Sequence, residues 1–209
     1  MTDAGVLDIG ELPTSATLLE KIRRSDPEGW KRFVLLYAPL IYRWCRRAGL
    51  RDEDAKDVGQ DVFAAVARSI GEYQHRSFRG WLRVITDRKI LDRLRRAPVG
   101  GDGVGGSDAQ NAIASVTADW VPRDSDADEA DDRLLLLRQA TELVLASCQE
   151  ATRQAFLRIV IGDEDPATVA SDLGLTENAV YLAKSRLLKR IRDEFAELVD
   201  AASPDDSSV

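Results

Sequence analysis

Soft metal ligands are scarce in this chain. Its 209 residues include two cysteines, Cys45 and Cys148, and one histidine, His75. The cysteines lie far apart and have no CxxC spacing, so Cys/His zinc binding has almost no ligands to draw on. We therefore expect no metal site, and we interpret both thiols as buried or unreactive groups in a reducing cytoplasm.

Long hydrophobic runs and secretion signals are also missing. No apolar run reaches the roughly 20 residues that a membrane-spanning helix needs. The first residues, MTDAGVLDIGELPTS, contain neither Lys nor Arg and no apolar core, unlike a signal peptide. The sequence thus predicts a cytoplasmic protein without membrane insertion.

Common enzyme motifs are absent as well. The sequence has no GxxxxGK(S/T) loop, no GxGxxG and no His/Asp/Ser grouping. Because the sequence contains no recognisable set of catalytic residues, we predict a protein that is not an enzyme and needs no cofactor.

Charge is plentiful but unevenly distributed. The net charge of −7, taken alone, argues against DNA binding. Residues 17–96, however, hold 19 Lys and Arg against 11 Asp and Glu, a net charge of +8. Residues 97–132 hold 1 against 9, a net charge of −8. This separation of a basic segment from an acidic one indicates a functional role for charge, which the net charge of the whole chain does not reveal.

Apolar residues recur at three- and four-residue steps, and no alternating run bounded by hairpin turns indicates a strand. Asp26-Pro27 is typical of a helix start, Gly49 of an end, and the acidic 52–54 of another start. Helices are expected to resume near Arg133, with two shorter ones at the end.

Between these helical blocks lies a segment rich in Gly, Asp and small residues. It cannot bury enough apolar surface to offset the entropy of ordering, so we interpret it as a flexible acidic linker. The predicted fold is all-α, with two small helical domains joined by this linker. The predicted boundaries are an N-terminal tail (1–16), a first domain (17–96), the linker (97–132), a second domain (133–198) and a C-terminal tail (199–209).

The strongest local pattern is PATVASDLGLTENAVYLAKS at residues 166–185. Asp165 and Pro166 can begin a helix, Gly174 suits a turn with positive φ, and Thr176 can cap a second helix. This pattern predicts a helix-turn-helix, whose second helix lies in the DNA major groove. A plain helical hairpin with a charged surface is the alternative. The residues expected to contact bases or phosphates are Thr176, Glu177, Asn178, Tyr181, Lys184, Ser185, Arg186, Lys189 and Arg190.

Two further motifs precede the linker. A D-x-x-Q-(E/D)-x-F pattern on an acidic helix is formed by Asp57, Gln60, Asp61 and Phe63. An F-x-x-W-L-x-x-I core with a basic tail is formed by Phe78, Trp81, Leu82 and Ile85. In this order, and followed by a helix-turn-helix, they resemble bacterial sigma factors of the extracytoplasmic-function (ECF) subfamily in the sigma-70 family. The resemblance covers about residues 17–198, without the middle DNA-binding domain of the housekeeping type.

The resemblance implies a role for each segment. The family docks on core RNA polymerase through the acidic helix, here at Asp57, Gln60, Asp61 and Phe63. A solvated acidic face would be the ordinary interpretation of that helix alone. The next loop and helix of the family capture a flipped base and read the −10 element of promoter DNA. The matching residues are Tyr73, Gln74, His75, Arg76, Arg79, Arg83, Lys89 and Arg93. The helix-turn-helix would read the −35 element.

Some interpretations stay open. A solvated loop histidine fits His75 as well as a base contact does. Trp81 shares a helical face with Phe78 and Ile85, which favours a core position over a stacking platform. The acidic linker either mimics RNA in a basic polymerase channel or is a simple spacer.

The sequence also departs from the family. Its recognition helix has Lys184-Ser185-Arg186 one turn after Val180, where the family often has this triplet directly after Val, so the base-contacting residues are undecided. The rival is a helix-turn-helix repressor or activator that binds palindromic DNA as a dimer without polymerase. The sigma-factor interpretation predicts a monomer when free, with an anti-sigma factor as a candidate partner.

Overall fold

A computed structural model describes residues 17–74, 77–96 and 126–199. Throughout these ranges the regular structure is helical, which confirms the predicted all-α fold, and none of their helices is long and apolar enough to cross a membrane. The helices are α1 (Leu18–Arg23), α2 (Pro27–Arg47), α3 (Asp52–Ser69), α4 (Phe78–Arg96), α5 (Asp126–Leu145), α6 (Glu150–Val160), α7 (Pro166–Leu173) and α8 (Glu177–Val199), with a short 3-10 turn at Ile70–Glu72.

Several helices begin at side chains that cap free backbone N–H groups, although α3 and α6 begin without such a cap. The Asp26 carboxylate accepts a hydrogen bond from the Gly29 N–H at 2.6 Å, and α2 starts at Pro27 as predicted. Ser77 Oγ accepts from the Gly80 N–H at 3.0 Å and begins α4. Such caps are typically worth about 1 kcal/mol each, so they help to fix where α2 and α4 begin.

The described residues form two compact units. We call residues 34–74, 77–96 and 126–136 the α3–α4 unit, and residues 17–33 and 137–199 the helix-turn-helix unit. Each unit is described by itself.

The α3–α4 unit is built on the packing of α3 against α4. On α3, Ala55, Val58, Val62 and Val66 recur at three- and four-residue steps and are all buried. A second part of the core is aromatic, with neighbouring ring centroids 5.0–5.5 Å apart and edge-on or tilted, the geometry that aromatic pairs prefer. Its members are Tyr37, Tyr73, Phe78 and Trp81. This cluster joins α2, α4 and the segment between α3 and α4.

The helix-turn-helix unit packs α6, α7 and α8 against one another, and α1 packs against α8. Its core contains Ala155, Ile159, Val169, Ala170 and Val180. The small Ala170 is buried in this cluster together with Val180 of α8. The last helix, α8, has 23 residues, so the expectation of two short final helices was right only for α7.

Helix α5 begins at Asp126, inside the stretch expected to be linker and upstream of the expected start at Arg133. Acidic residues are favourable in the first turns of a helix, where they meet the positive end of the helix dipole. The composition that suggested a flexible tether is therefore also the composition of a helix N-terminus. The predicted linker residues 97–125 lie outside the described residues.

Candidate nucleic-acid and partner interfaces

The outer face of α3 carries the predicted polymerase-binding residues. Asp57, Gln60 and Asp61 are exposed, because the apolar residues of α3 occupy the opposite face. Phe63, the fourth residue of this motif, is partly buried. The structure therefore brings three of the four predicted residues into one polar, solvent-facing patch.

A cleft of about 300 Å³ opens between α3 and α4 beside this patch. It is lined by Asp57, Val58, Gln60 and Asp61 of α3 and by Lys89, Asp92, Arg93 and Arg96 of α4. Lys89 and Arg93 were predicted to contact the −10 element of DNA. They thus share a cleft with the predicted polymerase-binding residues.

Arg93 is held in this cleft by an ion pair with the first turn of α3. Its Nε donates to Asp54 Oδ1 at 2.9 Å. This hydrogen bond, together with the charge of Asp54, raises the pKa of the Arg93 guanidinium. The pair also joins the end of α4 to the start of α3.

The predicted base-contacting residues in the segment between α3 and α4 differ in their exposure to solvent. Tyr73 is only 7% exposed and packs its ring against Phe78 and Trp81. Gln74 is exposed. His75 and Arg76 lie outside the described residues. Within this segment Tyr73 is part of the core, whereas Gln74, like Glu72 before it, faces solvent.

Arg79 and Arg83 point toward the protein. Arg79 is 8% exposed and forms an ion pair with Glu129 at 3.5 Å. Arg83 donates from Nε to Asp87 Oδ1 at 2.9 Å, and its guanidinium lies 4.9 Å from the ring centroid of Trp44. Both arginines, which the family resemblance assigns to the −10 element, are therefore largely covered by protein in this unit.

Besides Arg93 and Arg96 of the cleft, the exposed cations of α4 are Arg88 and Arg95. They lie on the helix face opposite Leu82 and Ile90, both of which are fully buried. Sequence reasoning missed these two arginines, although the helical period was sufficient to find them. Arg79 and Arg83 share the face of Leu82 and Ile90, and Arg88 and Arg95 do not.

The first turns of α5 make a set of long-range ion pairs with α2. Asp131 accepts from Arg43 Nη2 at 2.7 Å, and Asp128 pairs with Arg47 Nη2 at 2.8 Å. The sequence offered no sign of these contacts, because the partners are more than 80 residues apart along the chain.

Asp132 is the buried member of this set. It is fully buried, and its Oδ2 accepts a hydrogen bond from Trp44 Nε1 at 2.6 Å. Its Oδ1 accepts from Arg47 Nη1 at 3.3 Å. Both carboxylate oxygens therefore have donors, which offsets the cost of removing a charge from water.

The helix-turn-helix geometry agrees with the sequence in each local feature. Asp165 Oδ2 accepts from the Thr168 N–H at 3.0 Å at the start of α7. Gly174 has φ +65°, the left-handed conformation that glycine adopts without strain. Thr176 Oγ1 accepts from the Ala179 N–H at 3.1 Å and caps α8. Val180 and Ala183 are buried, which turns the opposite face of α8 to solvent.

The exposed face of α8 contains most of the predicted DNA-contacting residues: Thr176, Glu177, Asn178, Tyr181, Ser185, Arg186 and Lys189. Tyr181 is 52% exposed, and beside it Leu182 is 40% exposed, an apolar member of this face that sequence reasoning missed. Lys184 is partly buried.

Two of the predicted phosphate-binding residues have acidic neighbours on α8. Lys189 pairs with Asp193, and Arg190 Nε lies 3.8 Å from Glu194 Oε2. Glu194 is 3% exposed and also pairs with Arg32. Arg186 is exposed and therefore better placed for a phosphate than Arg190, which is partly buried.

Comparison with known proteins gives matches to both parts of the chain. The family model described as Sigma-70 region 2 matches residues 33–98. The ECF RNA polymerase sigma factor SigD of Mycobacterium tuberculosis is 31% identical over 173 residues, which cover 78% of this chain and 76% of SigD. SigD of Mycobacterium bovis gives the same values. The ECF RNA polymerase sigma factor SigE of Mycolicibacterium smegmatis is 31% identical over 96 residues, covering 46% of this chain but only 37% of SigE.

Proposed function

Because this chain belongs to the ECF RNA polymerase sigma factors of the sigma-70 family, we propose that it binds core RNA polymerase, recognises the −35 and −10 promoter elements and helps to open promoter DNA. The observation that carries the proposal is the presence, in separate units, of a polar patch on α3 and an exposed, capped recognition helix α8. The protein acts as a non-enzymatic subunit in the cytoplasm and is a monomer when free. An anti-sigma factor is a candidate regulator.

The α3 patch is proposed to dock on polymerase. Asp57, Gln60 and Asp61 lie at i, i+3 and i+4 and are all exposed, so one partner surface can contact them together. The adjoining cleft adds cations from α4, including Lys89 and Arg93. A partner that presents both acidic and basic side chains would be complementary to this mixed surface.

The −10 element is proposed to be read at the start of α4. The buried rings of Tyr73 and Phe78 anchor this segment on the core, and a rigid support lowers the entropy cost of capturing a flipped base. Gln74, with His75 and Arg76, supplies the polar groups for that capture. Arg88 and Arg95 join the proposed phosphate contacts, because they are exposed where Arg79 and Arg83 are not.

The −35 element is proposed to be read by α8. Asn178, Tyr181 and Ser185 recur at three- and four-residue steps on the exposed face and offer hydrogen bonds and an aromatic surface to base edges. Arg186 and Lys189 are proposed to contact phosphates, which position the helix without reading sequence.

Run-off transcription with core polymerase on a promoter library tests the proposal. The chain should increase initiation over core polymerase alone and reveal preferred −35 and −10 sequences. Replacing Asn178 and Tyr181 by Ala should lower initiation at the preferred promoters about thirtyfold or more, since each base contact is worth roughly 1–3 kcal/mol. Arg153→Ala, at an exposed position on α6, is the control and should have no effect.

A binding assay with core polymerase separates docking from DNA recognition. Asp57→Asn with Asp61→Asn should weaken binding to core polymerase. The control, Glu28→Gln with Glu150→Gln, removes two exposed carboxylates elsewhere and should bind normally. Failure of the unmodified chain to bind core polymerase, together with dimeric binding to palindromic DNA, would instead establish the repressor or activator.

A further inference from the structure

Within the α3–α4 unit, the ion pairs from the first turns of α5 to α2 and α4 partly cover a basic surface. We define the basic surface as Arg43, Arg47 and Arg79, and the acidic turn as residues 128–132. Arg43 and Arg47 are each 31% exposed at their side chains, so the acidic turn covers them only partly. The surface lies within a single compact unit.

We propose that this basic surface binds the phosphodiester backbone of promoter DNA, and that the acidic turn occupies it in the free protein in place of phosphates. The proposal rests on the proposed function only in naming promoter DNA as the ligand. Three observations support it: charge complementarity, continuity with the −10 segment, and the uneven exposure of the acidic turn.

Charge complementarity is the first observation. Carboxylates of the acidic turn meet the guanidinium groups at distances typical of charge-assisted hydrogen bonds, 2.7 Å for Asp131 with Arg43 and 2.8 Å for Asp128 with Arg47. Planar guanidinium groups bind carboxylate and phosphate oxygens in the same geometry. A site that holds one kind of anion in this way can hold the other.

Continuity with the −10 segment is the second observation. Glu129 pairs with Arg79, a residue that family resemblance assigns to the −10 element. Trp44, whose Nε1 donates to Asp132, also packs against the guanidinium of Arg83. DNA held at the start of α4 would therefore pass close to the surface that the acidic turn covers.

The exposure of the acidic turn is the third observation. Asp132 is fully buried and anchors the turn, whereas Asp131 and Glu129 are 62% and 44% exposed at their side chains. Partly exposed ion pairs are worth little in water and are weakened by salt, so a polyanion can displace them. The turn can therefore release its outer carboxylates while its anchor stays in place.

Binding of fluorescent oligothymidylate to the free full-length chain at low salt tests the proposal. This probe presents phosphates without a promoter sequence. The variant Asp128→Asn with Asp131→Asn should bind it about fivefold more tightly, because two partly exposed ion pairs no longer compete. Adding Arg43→Gln and Arg47→Gln to that variant should abolish the gain.

The matched control is Glu28→Gln with Glu150→Gln, which changes the net charge equally in the other unit. An equal gain in this control would show a general charge effect and overturn the proposal, as would no gain in the Asp128/Asp131 variant. A gain that persists without Arg43 and Arg47 would overturn the assignment of the surface. Circular dichroism confirms that each variant is folded. Polymerase is absent from the assay, so failure to bind core polymerase overturns the proposed function and leaves this result standing.

Discussion

The two cysteines differ in their exposure to solvent. Cys45 is fully buried on α2, and burial raises the pKa of its thiol to about 11. Cys148, after α5, is partly exposed, and burial raises its pKa as well. Since the thiolate is the reactive form, both thiols should react slowly with thiol reagents at neutral pH, and Cys45 should react more slowly than Cys148.

A thiol reagent should therefore modify the native chain first at Cys148, with Cys45 reacting only after unfolding. Titration with a chromogenic disulfide, before and after adding denaturant, measures both phases. Cys148→Ser should remove the native phase and keep the denatured one. If Cys45 in the folded chain were modified as fast as Cys148, this would contradict the burial of Cys45 on α2.

At the level of single elements, two glycines on helices should respond to alanine with opposite signs. Gly174 has φ +65° at the end of α7, where an L-residue is strained by about 1–2 kcal/mol. Gly59 lies inside α3 without a left-handed conformation, and a Cβ added there meets nothing within 4 Å. Alanine at that position has the higher helix propensity.

We expect Gly174→Ala to lower the free energy of unfolding by about 1 kcal/mol or more, and Gly59→Ala to raise it by about 1 kcal/mol. Urea unfolding followed by circular dichroism measures both against the unmodified chain. The two variants serve as controls for each other, because the chemical change is identical. A loss of stability in both would mean that α3 needs its glycine for a reason other than conformation.

The elements that sequence predicts well are those fixed by neighbours in the chain. The caps at Asp26, Asp165 and Thr176 and the turn at Gly174 depend on residues within four positions, and all four were correctly predicted. The start of α5 was not predicted, because it depends in part on ion pairs across more than 80 residues.

The exposure of the arginines on α4 could not be read from the sequence, for a different reason. The arginines at 79 and 83 have a spacing that suits a phosphate backbone, but the same spacing places them beside Leu82 and the buried Asp87. Periodicity identifies a face and does not say whether its cations meet a protein partner or solvent. Burial of Tyr73 likewise depends on packing against Phe78 and Trp81, which only the fold supplies.

At the scale of the whole molecule, each unit contains a carboxyl group with a lowered pKa. A hydrogen bond from Lys56 lowers the pKa of Asp52 below its ordinary 3.8, and hydrogen bonds from Arg158 lower that of Glu164 below its ordinary 4.5. Depressed values in the folded state mean that each group stabilises the fold above its ordinary pKa. This stabilisation is lost as the pH falls through the lower, folded value.

Both units should therefore lose stability in the same acidic range. The variant Asp52→Asn with Glu164→Gln should be less stable than the unmodified chain at pH 7. The difference should begin to shrink as the pH falls below 4.5, the ordinary pKa of Glu164, and approach zero as it passes 3.8 and the lower, folded values. Thermal unfolding at a series of pH values measures it, and a difference that stays constant across the range would exclude these two groups as its source.

The helix-turn-helix unit is discontinuous along the chain, because α1 packs on α8 while the residues of the α3–α4 unit intervene. On the ribosome, α1 emerges well before its partner helix α8. At about 5–20 residues per second, that interval is on the order of ten seconds. The nascent chain must keep the apolar side of α1 from aggregating during this time, and a stalled or truncated product would expose Leu18, Leu19 and Ile22 to the cell's quality-control machinery.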